Sequence, residues 1–144
     1  MFGWEFPPHI LGGLGTASYG LTKGMWECGD MDITFVIPKP WGDEDRSFAH
    51  IVGASQVPVA WRDVDRDYVE SRIGKVMDPD LYFRLRDNIY ADFNYMRTND
   101  LGCIEFSGRY PDNLLEEINN YSIMAGVVAR TIPCDVIHSH DWLT

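Results

Sequence analysis

At 144 residues the chain has room for one domain with a substantial core, and its 45% hydrophobic content is ordinary for a globular protein. A net charge of −10 and a pI near 4.6 argue against a surface for nucleic acid or anionic membrane, though not against one phosphate held locally by backbone N–H groups. The cysteines Cys28, Cys103 and Cys134 are odd in number, widely spaced and without a CxxC pair, which argues against a disulfide framework or a zinc site and fits a reducing cytoplasm.

No apolar run approaches the ~20 residues of a membrane span, and no basic-then-apolar leader is recognised. In the apolar run Met1–Phe6, Phe2–Phe6 reads as the end of a buried strand, and Pro7 and Pro8 turn the chain. Gly12 and Gly13 open a helix. Strand, glycine turn and helix together aim free N–H groups at an anion, and glycine lets the anion come close. Gly12, Gly13 and Leu14 are therefore candidates for cradling a diphosphate, with a plain turn as the alternative. In the helix, Leu14, Ala17, Leu21 and Met25 form an apolar stripe. Thr16, Gly20 and Gly24 form a small-residue stripe, which suggests either close approach to a sheet or a poorly optimised helix. Gly29 is a plausible stop. Asp32–Ile37 reads as a buried strand closed by Pro38. The β–turn–α–β series opens a doubly wound α/β domain with a mainly parallel sheet.

Residues 41–110 read as an elaborate connection. Gln56–Trp61 would be an edge strand at best, because of Pro58. Arg62–Arg72 reads as a solvated loop. Asp78 and Pro79 start a helix through Leu81, Leu85, Ile89, Phe93 and Met96. Gly102–Phe106 is a short candidate strand. After Tyr110-Pro111-Asp112-Asn113, Asp112 is expected to cap a helix carrying Leu114, Ile118, Tyr121, Ala125, Val128 and Ile132, which Pro133 ends. Cys134–Ser139 is the next expected buried strand. His140, Asp141 and Trp142 lie at its carboxyl end, the edge where ligands bind in open α/β sheets.

The blocks FPPHILGGLGTASYGLTKG, YPDN and DVIHSHDWLT resemble the amino-terminal domain of glycogen and starch synthases and related retaining glycosyltransferases of the GT-B fold. The resemblance implies a single Rossmann-like domain over 1–144, incomplete, with a second domain absent. It implies transfer of glucose or a similar hexose from ADP-glucose or UDP-glucose to a glucan or other saccharide acceptor, without a cofactor or metal. It places the donor diphosphate at Gly12, Gly13 and Leu14, and the donor sugar at His140. Asp112 and Asn113 become candidates for the cleft, Asp112 among the catalytic residues and Asn113 as a sugar contact. Many glycogen synthases carry a lysine two residues before the glycine pair; here Ile10 stands there, and the donor preference does not carry over.

Other readings compete. An NAD fingerprint would want glycine at Ser18 and an acid where Ile37-Pro38-Lys39 stands, so a dehydrogenase or epimerase is disfavoured. A metal site of the HxHxDH kind would want Asp and His where Trp142 and Leu143 stand. His138 reads as a core histidine, Asp141 as the cap of a further helix, Glu5 as a structural acceptor of loop N–H groups, and His9 as loop surface. The aromatic residues read mostly as packing. A strand beginning almost at Met1, and a helix due at Thr144, lead to the expectation of a fragment that is inactive by itself. The rival from another class is a stand-alone, non-catalytic nucleotide- or sugar-binding module.

Overall fold

The computed structural model describes residues 1–58 and 98–144. Their elements are helix α1 (Gly13–Glu27), strand β1 (Thr34–Ile37), strand β2 (His50–Gly53), a 3-10 turn (Ala54–Gln56) and helix α2 (Leu114–Thr131). β1 and β2 pair in parallel, with Thr34 opposite His50 and Ile37 opposite Gly53. On the other side of β1, Phe2 bridges in parallel to Val36, and beyond that to Ser139. The seam is closed by Val36 N–H donating to Met1 O (2.8 Å), Gly3 N–H to Val36 O (2.9 Å), Phe2 N–H to His138 O (2.8 Å) and His140 N–H to Phe2 O (3.0 Å). The lateral order is β2, β1, the Phe2 segment and the Ser139 segment, all running the same way.

The β1 sequence TFVI is apolar and mostly β-branched, and its last three residues are buried. Successive side chains of a strand point to opposite faces. Val36 accordingly joins one core with Phe2, Trp4 and the α2 residues Tyr121, Met124 and Val128. Phe35 and Ile37 join a second core with Phe6, Phe48 and Ile51, against which Tyr19 and Met25 of α1 pack. The sheet is thus covered on both faces, as parallel sheets require. Tyr121 spans the seam: its buried hydroxyl lies 2.9 Å from Gly3 O and 2.8 Å from Val36 O and donates to either.

Helix α1 forms where its spacing predicts, but with a different inward face. The buried positions are Gly15, Ser18 and Thr22, while Ala17 and Leu21 of the expected stripe are exposed. Small residues let the helix lie close to the aromatic layer beneath it. The tight approach is at Gly15, where a Cβ would collide with Ile10. It is not at Gly20 or Gly24, where a Cβ would meet nothing within 4 Å. Gly29 does follow the helix in a left-handed conformation, φ +80°.

Other expectations need correction. β2 was not anticipated. Asp112 is not the cap of α2: Asn113 holds that position, makes no side-chain cap bond, and donates from Nδ2 to Glu116 Oε2 at 3.2 Å. Cys134–Ser139 is not buried; Val136 is 79% exposed, and the segment pairs only at its end, through Phe2. In Gln56–Trp61, Gln56 closes the 3-10 turn and Pro58 bridges Cys103 in antiparallel sense. Gly102–Phe106 contributes isolated bridges at Cys103 and Ile104 instead of a strand. The loop 62–72 and the helix expected after Asp78 lie outside the described residues.

Candidate functional site

The glycine turn leaves the carboxyl end of the first segment. Phe6 bridges back to His9, and α1 starts at Gly13 with the extended Gly12 as its N-cap. No side chain caps this end and no acid stands in its first turn. The first N–H groups of a helix lack intrahelical acceptors, so this end of α1 leaves backbone donors for a ligand. Gly12 and Gly13 are exposed, and a Cβ on either would meet nothing within 4 Å. Open space therefore lies before the turn. Leu14 turns its side chain toward the core and offers only its backbone.

Beneath the turn, Glu5 is 4% exposed and its Oε2 accepts the Leu11 N–H at 3.2 Å. This is the structural role expected of it. Its other oxygen, Oε1, is buried and without a hydrogen-bond partner.

Tyr110, which sequence reading passed over, is where distant blocks meet. Its hydroxyl is held well above the usual tyrosine range, by burial first, then by the nearby Glu5 carboxylate, and also by the charge of Asp141. Trp4 Nε1 donates to Arg109 O at 3.2 Å and the His140 N–H to Phe2 O, so the first segment, the start of the YPDN block and the HDW block share one neighbourhood. Only a contact across the fold reveals this, so no local signal could have found it.

His140 is half-buried beside Phe2, to which its backbone N–H is bonded, and its carbonyl accepts from Thr144 Oγ1 at 3.2 Å. His138 is half-buried too and is no core residue; its Nε2 stands 3.5 Å from His140 Nδ1. Asp141 has φ 73°, and its Oδ1 accepts the Trp142 N–H at 2.7 Å. Asp112 and Asn113 are exposed at the start of α2, where Asn113 Nδ2 bonds Glu116 of the same helix, away from the glycine turn.

A second group lies along the same edge. Beyond β1, Trp41 is stacked by His9 (ring centroids 4.9 Å apart, planes at 30°), and His9 Nε2 pairs with Asp43 Oδ1 at 2.7 Å. Lys39 Nζ sits 4.7 Å from the Trp41 ring centroid and Arg109 Cζ 5.9 Å. Sequence reading gave His9 only as surface and left Trp41, Lys39 and Arg109 without a role together.

Among the described residues, no three His, Cys, Asp or Glu side chains are grouped to hold a metal ion, and no helix is long and apolar enough to cross a membrane. These features define an α/β domain with parallel strands, whose carboxyl edge carries an open helix N-terminus and a polar rim. The starch synthase catalytic domain family matches residues 1–144, and the chain belongs to that family, one of glycosyltransferases of the glycogen and starch synthase type. No curated protein and no solved structure matches the chain.

Proposed function

We propose that the chain is the amino-terminal, Rossmann-like domain of a retaining GT-B hexosyltransferase. It would take glucose or a similar hexose from ADP-glucose or UDP-glucose and pass it to a glucan or other saccharide acceptor in the cytoplasm. The observation that carries this reading is the lateral order of the sheet. From the Phe2 segment the chain steps outward to β1 and then β2, and later returns to the opposite side of Phe2 at Ser139. Such a reversal opens a crevice at the carboxyl ends of the Phe2 and Ser139 segments, the kind of place where α/β domains take nucleotides. The glycine turn leaves from one of these segments and His140 from the other.

The chemistry asks for little covalent help from protein. The bond from the anomeric carbon to the leaving phosphate breaks, negative charge grows on the diphosphate, and the acceptor hydroxyl replaces it on the same face. The N–H groups of Gly12, Gly13 and Leu14 suit that growing charge. His140 suits orientation of the hexose through a hydroxyl hydrogen bond. Asp112 and Asn113, at the exposed start of α2, suit the outer part of the sugar cleft and are secondary to His140.

Gly13→Val tests the reading. Its Cβ would meet nothing within 4 Å, so the added side chain enters the open space before the turn. Titration calorimetry should show ADP-glucose or UDP-glucose binding at least tenfold more weakly, about 1.4 kcal/mol, with an unchanged thermal midpoint. Equal affinity in the folded variant would reduce the turn to a structural role.

A further inference from the structure

We propose that the Trp41 platform, with Lys39 and Arg109 at its ring, is a binding site for a phosphoryl anion. Three segments distant in sequence converge there: the turn before α1 through His9, the connection after β1 through Lys39 and Trp41, and the segment before α2 through Arg109. The chain carries a net charge of −10, yet two cations are gathered over one indole ring. Neither makes an ion pair among the described residues. The neighbouring acids are otherwise engaged. Asp43 pairs with His9, and the buried Glu44 accepts the backbone N–H groups of Trp41 and Gly42. Lys39 is half-buried as a residue and reaches the Trp41 ring.

Trp41 is 41% exposed and could suggest a sugar-stacking surface. The ring is already approached by an imidazole at 4.9 Å and an ammonium at 4.7 Å, however, so what the platform offers a ligand is its charged rim. An ammonium and a guanidinium gathered at one ring suit the oxygens of a phosphoryl group, the guanidinium binding two of them at once. Two sources share that chemistry. One is the diphosphate of the nucleotide sugar, which rests on the reading given under Proposed function; the other is free phosphate or pyrophosphate.

Calorimetric titration of the chain with pyrophosphate, orthophosphate, ADP-glucose and UDP-glucose, at low and moderate salt, tests the site. Pyrophosphate should bind, more weakly as salt rises. The Lys39→Met, Arg109→Gln double variant should lose about tenfold in affinity and most of the salt dependence. Met keeps the methylene packing of Lys39. Should the double variant unfold, Arg109→Gln alone serves, because the Trp4 indole bonds the backbone oxygen of Arg109 and not its side chain. Parallel losses for nucleotide sugar and pyrophosphate would assign the site to the donor. A loss confined to pyrophosphate and orthophosphate would assign it to free phosphate. Unchanged pyrophosphate affinity in a folded variant, or no pyrophosphate binding by the unmodified chain, would overturn the proposal. Failure of the donor reading looks different: Gly13→Val would leave nucleotide-sugar affinity unchanged, whatever Lys39 and Arg109 do to pyrophosphate.

Discussion

Two buried hydroxyls in this domain have opposite circumstances. Tyr121 donates to the carbonyls that join the first segment to β1, whereas the Ser18 hydroxyl is fully buried with no partner. Tyr121→Phe should cost about 0.5–1.5 kcal/mol in denaturant unfolding, while Ser18→Ala should be neutral or stabilising. Burial holds the Tyr121 hydroxyl far above its ordinary range in the folded chain. A raised folded value means the folded state keeps the proton longer. This contribution is therefore fully present below about pH 10, the unfolded tyrosine value, and is lost as the pH rises above it. The midpoint should fall in alkali, and Tyr121→Phe should flatten that fall. For the histidines, His140→Ala should lower kcat of the active enzyme about a hundredfold with nucleotide diphosphate affinity retained. His138→Ala, half-buried and outside the core, should cost less than about 1 kcal/mol of stability.

At the scale of elements, α1 shows what periodicity does and does not fix. The spacing of apolar residues located the helix, but its phase followed the largest side chains, Leu14, Leu21 and Met25. The buried face is Gly15, Ser18 and Thr22: Gly15 presses against Ile10 and Glu5, while Tyr19 and Met25 beside it pack on the rings of Phe6, Phe35 and Phe48. Thr22 is accommodated by donating to Ser18 O at 2.7 Å. Leu21→Lys should therefore change stability by less than about 0.5 kcal/mol. Gly15→Val, which drives a side chain into Ile10, should cost about 1–3 kcal/mol; thermal melts would separate the two. β1 and α2 were legible because long apolar patterns and proline stops bounded them. β2 was not, because a four-residue strand after a charged, aromatic connection leaves too short a pattern. The glycine turn and the HDW block were legible as local motifs. Tyr110 and the Trp41 group were not, since their meaning lies in contacts between segments far apart in sequence.

At the scale of the molecule, the sheet is closed by helices on both faces but ends on one side in a bare margin. Val136 and Ile137 stand 79% and 55% exposed beside a groove lined by Phe2, Val36, Val128 and Ile132. Exposed apolar strand edges favour association. Light scattering of the 144-residue chain should show apparent mass rising with concentration, and Val136→Lys should suppress the rise. A concentration-independent monomer would show that this margin is inert.

Among the described residues, three acids lie buried in this acidic protein, and each grips a loop by its main chain. Glu5 takes the N–H of Leu11, Glu44 those of Trp41 and Gly42, and Glu117 the N–H and hydroxyl of Ser107. Nearly all that these carboxylates hold is common to every amino acid except proline. The loops around the carboxyl edge can therefore exchange their side chains, and with them the ligands they favour, while keeping their path. A rim anchored in this way lets new specificities be tried by mutation without rebuilding the scaffold beneath.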